Sequence, residues 1–222
     1  MRSWRPALPL LLGLIVLAAC SSSPGSTATG STARTTIATT STTTSTQPSA
    51  TVTKVFAPWT PGGTLAPGIQ VSGHLSGGSC SIGSMADEAD NNAWRCFSGS
   101  GVYDPCFAPS EASDVTQLAC AASPFSDVML MTLSTPLPSS FNGNTGNTGS
   151  TQSSPWFMQL ANGDQCGRTT GTVQSAGGVA LVYGCRSGAA SSPNTSTQPW
   201  TAQYLPNNSH VISEVAVTTA WS

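Results

Sequence analysis

The chain has 222 residues, only 7% of them Asp, Glu, Lys or Arg, and a formal charge of −2. Beyond Thr53 four basic residues (Lys54, Arg95, Arg168 and Arg186) stand against all nine acids, so that stretch carries a formal charge of −5. Nucleic acids and anionic headgroups need a basic footprint that displaces counterions, and this balance excludes both as partners of the C-terminal part.

In chain order, Arg2 and Arg5 precede the apolar run "ALPLLLGLIVLAA", Ala7 to Ala19. A positive start, a short apolar stretch and small residues before a cut predict a removable signal peptide over residues 1–19. The run is well short of the roughly 20 residues a membrane-spanning helix needs. Its end, "LAAC" at Leu17 to Cys20, resembles the lipobox of bacterial lipoproteins. That resemblance implies diacylation of the Cys20 sulfur, cleavage before Cys20, and a location on the extracellular face of the cell membrane. Two acyl chains, at about 0.8 kcal/mol per buried methylene, hold a protein where one chain holds it only marginally.

Residues 20–53 comprise this cysteine and a Ser/Thr tract with almost no large apolar side chain. Such a tract cannot bury enough surface to offset its ordering entropy, so it is expected to be a disordered tether. Its Ser, Thr and Pro content also makes it a candidate for O-glycosylation.

Residues 54–222 suffice for one domain, or for two lobes over 54–140 and 155–222. The glycine- and asparagine-rich segment Phe141 to Ser154 lies between those lobes. Six cysteines remain after Cys20, an even number that in an exported chain predicts a disulfide framework. Fifteen pairings are open, and loop closure favours neighbours: Cys80 with Cys96, Cys106 with Cys120, and Cys166 with Cys185. There is no C-x-x-C pair, and His74 and His210 lie far apart, so neither a metal site nor a cofactor is expected.

Alternating apolar residues predict strands throughout this part, with no long window of helical period. In "GIQVSGHL", Ile69, Val71 and Leu75 share one face and His74 takes the other. "DVMLMTL", Asp127 to Leu133, is apolar on both faces and suits a central strand. "PWFMQLANGDQCG" alternates Trp156, Met158 and Leu160, then sets Asn162-Gly163 where a hairpin needs positive φ. "GGVALVYGC" puts Val179, Leu181 and Tyr183 on one side, and "PWTAQYL" does the same with Trp200, Ala202 and Tyr204. In "HVISEVAVTTAW", Val211, Val215, Val217 and Trp221 share one parity and Glu214 the other. "SMADEADNN" and "PSEASDVTQLA" open on serine with early acids and are expected to form short helices. The predicted fold is mainly β, a disulfide-stapled antiparallel sandwich or barrel with short helices.

The stretch "AWRCFSGSGVYDPCFAP" brings two cysteines, aromatics, an arginine and an aspartate together. Ser-Gly-Ser-Gly and Asp104-Pro105 are turn signals, so Trp94, Phe97, Tyr103 and Phe107 are expected to pack around the sulfurs. Arg95 and Asp104 are placed to pair as an exposed bridge across the turn, worth at most about 1 kcal/mol. The alternative is a contact surface of Trp94, Arg95, Tyr103 and Asp104, residue types that dominate binding hot spots.

Hydrolase chemistry has few candidates. No G-x-S-x-G is present, a serine triad would have to be built on His74 or His210, and clustered carboxylates are offered by Asp87, Glu88 and Asp90 with Asp104 close by in sequence. No glycine-rich phosphate loop follows a strand. The order "GSC-x-x-GS", "AWRC", "YDPCF", "AC", then "PW-x-x-QL-x-x-G-x-x-C" and "YGC", over Ser79 to Trp221, resembles a recurrent, functionally unassigned group of secreted proteins and lipoproteins of actinobacteria. An aromatic commonly follows the first cysteine there, where Ser81 and Ile82 stand in this chain. The resemblance brings no catalytic residues with it.

The expected function is non-enzymatic recognition of another envelope protein, a cell-wall glycan or a small ligand by a domain displayed on a tether. Two alternatives are a carrier of an apolar ligand, with a cavity lined by Met129, Met131, Met158 and Trp156, and a cell-wall hydrolase.

Overall fold

The computed structural model describes residues 48–109, 114–137 and 154–222. The signal segment, Cys20, the tether as far as residue 47 and residues 141–153 of the glycine- and asparagine-rich segment lie outside them. The described residues form strands and connections, with no helix. In chain order the strands are β1 (Val52–Lys54), β2 (Val71–Gly83), β3 (Ala93–Ser98), β4 (Gly101–Phe107), β5 (Gln117–Cys120), β6 (Val128–Leu133), β7 (Phe157–Leu160), β8 (Gln165–Arg168), β9 (Gln174–Ala176), β10 (Val179–Leu181), β11 (Tyr183–Cys185), β12 (Gly188–Ala190), β13 (Thr201–Pro206) and β14 (Ser213–Trp221).

Strands β2 to β6 form a meander that closes into a five-stranded barrel. Successive strands pair antiparallel, and an odd number of them brings β6 back parallel to β2. The 13-residue β2 serves both neighbours, its first part pairing with β6 and Ser79–Gly83 with β3. The second sheet runs β1-β14-β13-β12-β11-β8-β7. A further pairing of β14 with β7 joins its ends, so six antiparallel strands run in a ring with β1 added parallel to β14. The β9–β10 hairpin is inserted between β8 and β11.

Strand parity distributes the apolar residues among three cores. One face of β3, β5 and β6 supplies Trp94, Leu118, Met131 and Leu133 to a core that also holds Cys96, Cys106 and Cys120. The opposite face of the same strands supplies Ala93, Ala119, Val128 and Leu130 to a second core, shared with Phe157 and Trp221 of the other sheet. Met158, Leu160, Tyr183, Tyr204 and Val217 belong to the third, within the six-stranded ring. A strand buried on both faces reads as a continuous apolar run, which is why β6 has no polar alternation.

All three disulfides join strand neighbours directly opposite in register: Cys80–Cys96 across β2/β3, Cys106–Cys120 across β4/β5, and Cys166–Cys185 across β8/β11. These are the nearest-neighbour pairs that loop closure favours. Among the described residues, only the third encloses further strands, the β9–β10 hairpin.

Several local expectations meet a different outcome. Ser84 to Asn92 is irregular: the Ser84 hydroxyl accepts the amides of Ala86 and Asp87 as a helix cap would, and the Asp104 carboxylate accepts those of Met85 and Ala86, but no helical turn follows. In the second segment expected to be helical, residues 110–113 lie outside the described residues, and Gln117–Cys120 is strand, pairing with β6 on one side and at its end with β4 on the other. The hairpin at Asn162-Gly163 forms, with positive φ at Gly163 only. Leu160 and Asp164 close a three-residue loop, and the Asn162 side chain accepts the Asp164 amide. In β14 a bulge between Val217 and Thr219 breaks the parity. Val217 before it and Ala220 after it therefore face the same core while Trp221 joins the other, and Val211, before the strand, is 73% exposed.

The folded region also starts before residue 54. Val52–Lys54 pairs with Thr219–Trp221. Thr51 donates its hydroxyl to the Val217 carbonyl at 2.7 Å and accepts the Trp200 amide at 2.8 Å.

Candidate functional site

The loop between β2 and β3 is held down at both ends by polar contacts. Ser84, itself buried, donates to Asp104 Oδ1 at 2.5 Å and accepts the amides of Ala86 (3.1 Å) and Asp87 (2.8 Å). Asp104 Oδ2 accepts from the Met85 amide and from Arg95 Nη1, each at 3.2 Å. Arg95 Nη1 also reaches the Thr170 carbonyl beyond β8 at 3.2 Å, and Arg168 of β8 pairs with Glu88 at 3.2 Å. The loop is thereby fastened to the barrel through Asp104 and to the second sheet through Glu88.

Two carboxyl groups here are perturbed. Asp104 is held above its ordinary range by burial, opposed by its hydrogen bonds from Ser84, Met85 and Ala86 and by the Arg95 charge. Asp87 is fully buried and neither carboxylate oxygen has a hydrogen-bond partner among the described residues. The Ala89 and Asp90 amides favour its charged form. Burial first, and then the Asp90 charge, pushes Asp87 up to about 7.

The four residues expected as a contact surface are used otherwise. Trp94 is 4% exposed and packs with the sulfurs, while the Asp104 side chain is 2% exposed, so the Arg95–Asp104 pair is not an exposed bridge. Tyr103 is half-buried against the same core, and Phe107 points the other way, into the core shared by the two sheets. The reason is parity: β3 and β4 are sides of a closed barrel, so alternate residues must enter it. His74 is exposed on β2, and His210 is exposed before β14. Among the described residues no group of three His, Cys, Asp or Glu is placed to hold a metal ion, and all six of their cysteines are in disulfides.

The residues expected to line a carrier cavity are dispersed. Met131, Trp156 and Met158 are fully buried in three different cores, whereas Met129 borders a cavity. That cavity, about 360 Å³, also meets Ser72, Tyr103, Asp104 and Asp127.

A cavity of about 400 Å³ lies on the other side of the β2–β3 loop. Four distant stretches build it: Val55–Trp59 after β1, Ala89–Asn92 of the loop, Phe107–Ala108 at the end of β4, and Ser222 after β14. Phe56 and Phe107 meet at a 60° tilt with centroids 5.2 Å apart, and both lean on Trp156. Trp59 is fixed by its Nε1, which donates to the Phe107 carbonyl at 2.8 Å. The Asn92 amide donates to Asp90 Oδ1 at 2.8 Å, and the Asn92 carbonyl accepts the Ala108 amide at 2.9 Å. Apolar walls with a few placed polar groups are the usual make-up of a small-molecule site. Asp90 is thus the one sequence-predicted acid on this cavity. Phe56 and Trp59 stand in the sequence as aromatics in a proline-containing stretch, with no periodicity to relate them to Asp90. No family model matches the chain, and no curated protein or solved structure matches it.

Proposed function

We propose that the chain is an exported lipoprotein anchored through Cys20 on the extracellular face of the cell membrane, and that its β domain is a non-enzymatic recognition module. The ligand binds in the cavity between Phe56–Trp59 and Ala89–Asn92. The cavity itself carries this reading: about 400 Å³, with Trp59 on its wall, the buried Phe56 and Phe107 beneath, and Asp90 and Asn92 at its border. A volume of that order suits a small molecule, or the end group of a larger envelope component, better than a flat protein face. It opens beside Val55, directly after the strand that begins the domain. Recognition is favoured over hydrolysis because two of the four candidate carboxylates are already engaged, Asp104 with Ser84 and Arg95, and Glu88 with Arg168.

The test is a photo-crosslinking residue at Ala89, which is exposed at the cavity, in the full lipoprotein in its own cells. The same group at exposed Val211 serves as control. An adduct specific to position 89 is expected. Equal labelling at both positions would sink the reading, as would turnover of cell-wall polymer by purified protein that Asp104→Ala abolishes.

A further inference from the structure

Resting on that cavity as the recognition site, the nature of its ligand follows from the charge on its walls. Asp90 is the only charged side chain among the described residues that line it. Its Oδ1 is occupied by the Asn92 amide, and its Oδ2 makes no hydrogen bond among the described residues. The cation nearest in sequence, Lys54, is turned elsewhere, with Nζ 5.4 Å from the Trp221 ring centroid. We infer that the cavity binds an organic cation, an ammonium or comparable group facing Asp90 with its apolar body against Trp59 and Val55.

Three physical terms agree on this class. A carboxylate beside apolar walls is screened less than one in open water, so it attracts a cation more strongly there. Aromatic faces add attraction for an alkylammonium through the ring quadrupole. The formal charge of −5 beyond Thr53 raises the local concentration of cations and repels anions. A neutral sugar would gain hydrogen bonds at Asp90 and Asn92 but neither of the first two terms, and so ranks below the cation.

The experiment is calorimetric titration of the detergent-extracted full-length protein with three probes. These are 2-phenylethylammonium, the uncharged 2-phenylethanol, and a tetramer of N-acetylglucosamine. Asp90→Asn is the informative variant, since asparagine keeps an Oδ1 acceptor for the Asn92 amide while removing the charge. Ala57→Trp fills the cavity from an exposed wall position with little risk to folding. We expect the ammonium to bind at least tenfold more tightly than the alcohol, that margin to vanish in Asp90→Asn, and binding to be lost in Ala57→Trp. Ammonium binding unchanged in Asp90→Asn overturns the cation assignment. If the alcohol or the tetramer binds as well or better, and Ala57→Trp abolishes that binding, the cation class falls while the recognition site stands. Binding that survives Ala57→Trp, or no binding by any probe at millimolar concentration, overturns both.

Discussion

Three carboxylates are drawn into the interior, and each is treated differently. Asp164 is satisfied by the Tyr204 hydroxyl at 2.7 Å and by the amides of Gln165 and Ser187. Tyr204 is correspondingly pushed up to about 12, by burial and by that carboxylate. Asp104 shares the Arg95 charge and the Ser84 hydroxyl. Asp87 has neither, so its protonated form is favoured in the folded chain up to about pH 7, against 3.8 as the ordinary value. An acid raised on folding contributes stability that is fully present below pH 3.8 and is lost as pH rises through about 7. At about 1.4 kcal/mol per pKa unit the span is a few kcal/mol. Asp87→Asn is therefore expected to be more stable than the wild type at pH 8, with the difference closing below pH 4. Melting curves across that range check it, and parallel profiles would refute it. Asp104→Ala strands Arg95, the Ser84 hydroxyl and the Met85 amide, and is expected to cost about 3–5 kcal/mol by denaturant unfolding. Arg168→Ala breaks a more exposed pair and is expected to cost about 1 kcal/mol or less.

At the scale of the elements, the disulfides act as cross-strand staples. Their sequence separations, 16, 14 and 19, are so close that the chain-entropy model assigns each a similar effect, about 3 kcal/mol. Replacing either Cys80 and Cys96, or Cys166 and Cys185, by alanine pairs is expected to lower the unfolding free energy by comparable amounts, measured against the same denaturant. A markedly larger loss for the second pair would show that the β9–β10 hairpin depends on its closure. The staples were legible from the sequence because neighbouring cysteines lie on neighbouring strands of meanders. The strands were legible for a related reason: alternation survives wherever one face of a strand is buried. It failed at β14, where the bulge after Val217 moves residues of both parities inward. Ser84–Asn92 also departs from its helix-start pattern, because Ser84 is bonded to Asp104 of a strand 20 residues away and Glu88 to Arg168 of the second sheet.

For the whole molecule, the core between barrel and second sheet brings together residues that the sequence keeps far apart. Phe56, Phe107 and Trp156 meet there, and the cavity forms on the outer side of that contact. Trp59 and Asn92 become neighbours of one site only through this packing, so no local pattern could relate them. The same long-range logic governs where the domain begins. Thr51 links two segments of the second sheet, donating to the Val217 carbonyl and accepting the Trp200 amide, while its own amide donates to the Gln198 side chain at 2.8 Å. Thr51→Val preserves shape and removes the hydroxyl, leaving the Trp200 amide and Val217 carbonyl in need of new partners. A loss of about 1–3 kcal/mol is expected if they stay dry, less if water reaches them. The local readout is hydrogen exchange: the Trp200 amide should exchange faster in Thr51→Val, while the amide of Leu118, in the barrel, keeps its wild-type rate. Equal acceleration of both amides would mean that Thr51 supports global stability, and no change at Trp200 would place the start of the domain after Thr51.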